Sequence, residues 1–202
     1  MEIIDTYKTI SKTVSEILLK ERKSKFYGYA FPIQNESDVK PLLDNLRALY
    51  PTANHVCYAW QLGVEHVSYR ANDDGEPNNS AGMPIYGQIQ SFGITNVLVA
   101  VVRFFGGTKL GVGGLISAYK NTAQLTLENA RIVKKILKER ATLSFEYSEM
   151  DTVMRFIKKN RLELVSQNLQ MKCEITIAVR KKEVEKILKE LKSLHKISVK
   201  TY

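Results

Sequence analysis

Apolar positions change period several times along the chain, and each change predicts an element. Residues 15–21 and 25–33 read as two strands, and the polar link ERKSK between them predicts a hairpin. Val39, Leu42, Leu43, Leu46 and Leu49 recur at helical spacing. Ser37 reads as the N-cap of that helix, Pro41 is tolerated in its first turn, and Pro51 stops it. Residues 55–62 read as a strand, and Gly63 starts a turn into a second strand at 65–70. The next stretch, ANDDGEPNNSAGMP, consists almost wholly of turn formers. Ser80 reads as the cap of a helix reaching about residue 90. Residues 97–104 form a continuous apolar, β-rich run, which predicts a buried central strand. The loop GGTKLGVGG follows, and a helix from 115 to about 130 presents Leu115, Tyr119, Thr122, Ala123, Thr126 and Ala130 on one face.

The pattern changes after Lys134. Ala141, Leu143, Phe145 and Tyr147 alternate with polar residues, as do Met171, Cys173, Ile175, Ile177 and Val179. Helical stripes follow each of these runs: Met150, Val153, Met154 and Ile157, then Val184, Ile187, Leu188, Leu191 and Leu194. Residues 161–166 read as a weaker strand, and Ile197 and Val199 as a last short one. The order from about residue 138 is β-α-β-β-α-β, a ferredoxin-like arrangement. The expected fold class is therefore α+β in two domains, residues 1–136 and 137–202.

Composition adds constraints. Apolar residues make up 44 % of the 202 positions and charged residues 25 %, ordinary values for a globular protein. Cys57 and Cys173 lie in strand-like runs with no CxxC pair, as expected for buried free thiols in a reducing compartment. The N-terminus lacks the features of a signal peptide, and no apolar run could span a bilayer, so the cytoplasm is the expected location. The net charge of +9 is uneven. Residues 1–133 hold 13 basic and 12 acidic side chains, whereas residues 134–202 hold 17 and 9. A basic domain beside a neutral one favours a polyanionic partner over a solvated lysine-rich exterior only weakly.

Two segments carry candidate chemistry. Gly106, Gly107, Gly111, Gly113 and Gly114 are five of the eleven glycines, packed into nine positions ahead of a helix. Such a segment can bring bare backbone N–H groups and a helix N-terminus to an anion, and Arg103 and Lys109 flank it. It lacks the Gly-Lys-Ser/Thr ending of a P-loop and the spacing of a dinucleotide fingerprint. The alternative is a glycine-rich turn that only lets strand and helix approach. The second segment holds Asp73, Asp74 and Glu76, three carboxylates within four residues. They could hold a hard cation such as Mg²⁺, but turn chemistry alone accounts for every residue there as a type I or II turn with a helix cap. His55, His66 and His195 show no zinc-binding spacing, and no GxSxG elbow occurs. No metal or cofactor is expected.

Three segments, HVCYAWQLG, DDGEPNNSAGMPIYGQIQ and VVRFFGGTKLGVGGLISAY, resemble the YigZ/IMPACT family. Asp73, Asp74, Gly75, Glu76, Pro77, Ala81, Gly82, Pro84, Arg103, Gly106, Gly107, Lys109, Gly111, Gly113 and Gly114 match its motifs. The chain departs where many relatives have Ser-Gly-Thr (here Asn78-Asn79-Ser80) and where they often have Lys (here Met83). The resemblance implies an N-terminal domain like the second domain of ribosomal protein S five, shared with domain four of elongation factor G. It also implies a C-terminal ferredoxin-like domain similar to the last domain of that factor. Both relatives touch RNA, and the eukaryotic family members are similar to regulators of translation that act through protein contacts.

Three functions follow as expectations. The first is a non-enzymatic binder of RNA or the ribosome that modulates translation. In it Arg103, Lys109 and the glycine loop hold phosphate, while Lys134, Lys135, Lys158, Lys159, Arg180, Lys181 and Lys182 add attraction. The second is a Mg²⁺-dependent phosphoester hydrolase using the acidic turn and the glycine loop. The third is a regulator acting through protein contacts.

Overall fold

The computed structural model describes residues 4–194 and 196–201. His195 lies outside them. The chain divides into two compact units, Tyr7–Lys135 and the pair of segments Met1–Thr6 and Ile136–Tyr202.

In the larger unit, β2 (Val14–Glu21), β3 (Ser24–Pro32), β4 (His55–Leu62), β5 (Ser68–Asn72) and β6 (Val97–Phe104) form one antiparallel sheet. The order across it is β2-β3-β6-β4-β5. The β2–β3 hairpin turns on Arg22 and Lys23, both with positive φ, at 42° and 70°. That geometry matches the twist of the flanking strands but is normally left to Asn and Gly. Strand β6 is central and buried on both faces. Val97, Val99 and Val101 enter one core beneath α2 (Gly82–Ser91) and α3 (Gly111–Glu128). Leu98, Ala100 and Val102 enter a second core beneath α1 (Val39–Leu49). Alternation along one strand thus feeds two helical layers, and this is why its sequence is apolar throughout.

Helix α3 approaches β3 closely at Gly28. A Cβ there would stand 1.9 Å from the Thr126 hydroxyl oxygen. Thr122 and Thr126, both fully buried, donate their hydroxyls to the carbonyls of Ala118 and Thr122, so no polar group is stranded in the contact.

Several expected boundaries move. A first strand, β1 (Thr6–Ile10), pairs with β7 (Ile132–Ile136) in a two-stranded sheet that the periodicity did not show. Helix α1 is preceded by a short 3₁₀ turn that starts from Asn35, and the N-cap position of α1 itself is Asp38 rather than Ser37; the Asp38 carboxylate accepts the Gln34 and Asn35 amides. These two backbone donors hold the Asp38 carboxyl below the usual carboxylate range. The second strand of the middle hairpin is β5, three residues later than expected at its start.

The smaller unit holds β8 (Lys138–Glu146), α4 (Met150–Lys159), β9 (Glu163–Leu169), β10 (Lys172–Arg180), α5 (Val184–Lys192) and β11 (Ser198–Thr201). Its antiparallel sheet runs β11-β8-β10-β9. Each helix therefore links strands that are not neighbours. Ala141, Leu143, Phe145, Cys173, Ile175, Ile177 and Val179 fill one face and meet Val153, Ile157, Ile187 and Leu191 from the two helices. The molecule is thus mixed α and β in two units. No helix among the described residues is long and apolar enough to cross a membrane.

Candidate functional site

The acidic turn is built from its backbone outward. Asp74 and Gly75 both have positive φ, 43° and 88°, and the Glu76 amide donates to the Asp73 carbonyl. Positive φ at both central positions makes this a turn of the I′ kind, not the expected I or II. The three carboxylates diverge from it. Asp73 accepts the amides of Asn79, Ala81 and Gly82 at 2.8–2.9 Å, so it caps α2 from nine residues away. Ser80, expected to be the cap, instead donates its hydroxyl to the Pro77 carbonyl at 2.6 Å. Asp74 accepts the Val56 amide at 2.7 Å and pairs with Arg47 at 3.1 Å. Glu76 turns inward.

Glu76 meets a row of side chains on the α2/α3 face of the sheet. Phe26, Arg103 and His55 are register partners across β3, β6 and β4. Arg103 is 5 % exposed, and its guanidinium donates to Glu76 Oε1 at 2.5 Å. Tyr119, from α3, donates to the same oxygen at 2.8 Å. His55 Nε2 stands 3.8 Å away, with Nδ1 donating to the Asp74 carbonyl at 2.8 Å. The guanidinium also sits 5.4 Å from the Phe26 ring and 5.7 Å from the Phe105 ring. A buried ion pair of this kind is costly to desolvate and is held by its extra hydrogen bonds. Arg103 Nε is the one fully buried side-chain polar atom without a partner among the described residues. Cys57, beneath Tyr119, is fully buried, and burial pushes its thiol up out of the reactive range. Burial likewise raises the Tyr119 phenol.

These placements bear on both candidate chemistries. Asp73, Asp74 and Glu76 already serve α2, β4 and Arg103. No group of three or more His, Cys, Asp or Glu among the described residues is placed to hold a metal ion. The hydrolase alternative therefore finds no support. Arg103 has its charge on Glu76, inside the core, in this arrangement.

The glycine segment divides by role. Gly106 lies against the β2–β3 turn: a Cβ there would stand 2.0 Å from the Lys23 carbonyl carbon, and its amide donates to Ser24 Oγ at 3.1 Å. Gly107 has φ of 83° and Gly111 of 72°, with open space around both. Gly111, Gly113 and Gly114 form the first turn of α3 rather than a loop, because the helix starts four residues earlier than its apolar face suggested. No side chain caps that turn. Around it stand Phe105, 46 % exposed, with its amide fixed by Asn54 Oδ1 at 2.8 Å, and the exposed Val112 and Ile116. Arg22, Lys23 and Lys109 are exposed and make no ion pair among the described residues. The close approach at Gly106 brings the Arg22–Lys23 turn beside this segment. Sequence reasoning passed over Phe105, Arg22 and Lys23. The tandem Phe104-Phe105 was the available signal, since alternation sends the two rings to opposite faces and the second lies past the end of the buried strand.

The remaining basic residues are scattered. Lys134 and Lys135 are exposed on β7, and Lys158 and Lys159 are exposed in the last turn of α4. Arg180 pairs with Asp5 at 2.6 Å, Lys182 stands 3.9 Å from the same carboxylate, and Lys181 is 3.5 Å from Glu139.

Known proteins resemble this chain over these segments and beyond. The model of the Impact N-terminal domain matches residues 22–127, which span the acidic turn, the buried cluster and the glycine segment. An IMPACT family member of Haemophilus influenzae is 28 % identical over 172 residues, 84 % of each chain. The IMPACT family member YigZ of Escherichia coli is 28 % identical over 151 residues, 74 % of each chain. A solved crystal structure of a hypothetical protein superposes with a TM-score of 0.74 at 23 % identity, covering 98 % of this chain and 97 % of that one, which shows a shared fold. The match over more than half of the chain, across the residues that build both loops, makes this protein a member of the IMPACT family.

Proposed function

We propose that this protein modulates translation without catalysing a reaction, by binding RNA or the ribosome in the cytoplasm. One observation carries the reading: Arg22, Lys23 and Lys109, free of ion pairs among the described residues, share an exposed surface with Phe105 and the open glycines of α3. Unpaired cations beside bare amides and an exposed aromatic ring suit a phosphate backbone with accessible bases. Kinship with the IMPACT family supports the link to translation. In the same reading the larger unit has the fold of the second domain of ribosomal protein S five. The strand order of the smaller unit supports a ferredoxin-like fold. Its Lys158 and Lys159, with Lys134 and Lys135 of the larger unit, add long-range attraction, while Arg180, Lys181 and Lys182 serve chiefly as partners of Asp5 and Glu139.

The test is anisotropy of labelled single-stranded RNA across a salt series, with ribosome co-sedimentation at low salt. The expected result is binding whose logarithm falls linearly with log salt, with a slope smaller by about 0.7 for each phosphate contact removed by Lys23→Ala or Lys109→Ala. Absence of binding to both RNA and ribosomes at low salt overturns the proposal. A protein partner that survives nuclease treatment would instead favour regulation through protein contacts.

A further inference from the structure

The other face of the sheet holds a cavity that the RNA reading does not use. It has a volume of about 350 Å³ and lies between α1 and the end of the sheet formed by β4 and β5. That volume is at the lower end of the range for small-molecule sites. Tyr58 and Trp60, alternate residues of β4, line it while only 8 % and 4 % exposed. Neither the Tyr58 hydroxyl nor the Trp60 indole N–H has a hydrogen-bond partner among the described residues. Neither is sealed off either, since Arg103 Nε is the one unpaired side-chain polar atom there that is closed to solvent. The two groups therefore open into the cavity they line. Both side chains are more than nine-tenths buried, and their two neighbouring unpartnered donors at the cavity suit a guest with an acceptor.

The rim says what kind of guest. Lys40, Arg47 and Arg70 are balanced by Glu36, Asp44 and Asp74, so a simple anion gains no net attraction. Two of the three pairs are closed: Lys40 with Asp44 at 2.5 Å, and Arg47 with Asp74 at 3.1 Å. The third is loose. Arg70 and Glu36 stand 4.0 Å apart and are 58 % and 66 % exposed, a separation and exposure at which a pair contributes little. Arg70 is the register partner of Trp60, so its charge lies next to the indole on the same face. Val39 and Leu43 give the α1 wall an apolar surface.

We propose that this cavity binds a small zwitterion with the chemistry of a free α-amino acid. The carboxylate accepts from the Trp60 N–H, the Tyr58 O–H and Arg70. The ammonium takes Glu36 from its loose partner, and an apolar side chain rests on Val39 and Leu43. Each charge of the Arg70–Glu36 pair then gains a closer counterpart than it has in the free protein.

Calorimetry on the full chain tests this with L-leucine and L-phenylalanine as probes, against phenylalanine amide and N-acetylphenylalanine. The expected result is one saturable site per chain for a free amino acid, with affinity at least about tenfold lower when either end is capped. Arg70→Ala, at an exposed position that leaves the fold intact, weakens binding about tenfold, and Trp60→Phe, which keeps a ring but loses the N–H, does the same. The proposal is overturned if neither amino acid saturates at millimolar concentration, if the capped forms bind equally, or if Arg70→Ala binds like the parent. Binding confined to longer peptides would also overturn it.

Discussion

Glu76 shows how a surface motif can become a core one. Read in the sequence, it is the third carboxylate of a polar turn. In the fold it is the acceptor that lets Arg103 and Tyr119 enter the apolar interior between sheet and α3. Glu76→Gln leaves the Arg103 charge without a counter-ion, and a loss of roughly 3–5 kcal/mol is expected in urea denaturation. Replacing both residues together, as Glu76→Leu with Arg103→Met, should cost clearly less than the sum of the single changes, which a double-mutant cycle reads directly. The glycines separate in the same way. Gly106→Ala drives a methyl into the Lys23 backbone and should destabilise the fold by about 1–3 kcal/mol. Gly113→Ala meets open space inside a helix and should be neutral or stabilising by up to about 1 kcal/mol. If Gly113→Ala keeps the thermal midpoint but weakens RNA binding, bare backbone is being used by the ligand.

At the scale of elements, legibility followed the strength of local periodicity. Strand β6 and the alternating strand β10 stood out because one apolar run or one clean alternation decides them alone. The first strand, β1, was missed because its pairing with β7 lies more than a hundred residues away, and nothing local marks it. The start of α3 was misplaced because its first turn is glycine, which conceals helical spacing. The cap of α2 could not be read either: Asp73 reaches it through the folded turn, across nine residues, while Ser80 occupies the position a local rule selects. Asp73→Ala removes the acceptor for three amides, and a loss of about 1–2 kcal/mol in thermal unfolding is expected. Ser80→Ala should cost less, and an equal or larger effect would return the capping role to Ser80. Of the candidate site, the loops themselves were legible as composition. What each side chain faces was not, because Arg103 and Lys109 look equally free in a sequence and only strand alternation followed by packing separates them.

At the scale of the molecule, the charge excess is shared between the two units rather than confined to one: residues 7–135 hold 15 basic and 10 acidic side chains, and residues 1–6 with 136–202 hold 15 and 11. The cysteines are shared out in the same way, one to each unit. Cys57 lies in the larger unit and Cys173 in the smaller, both with no exposure at all. Each thiol is therefore a built-in clock for its own half. A disulfide reagent can reach it only when the surrounding strands open, so the labelling rate reports the free energy of that opening. Mass spectrometry of partly labelled protein across a urea series should give two separate opening energies if the halves unfold independently, and one shared value if they do not. The chain thus carries the means to time each of its two parts without any engineered probe.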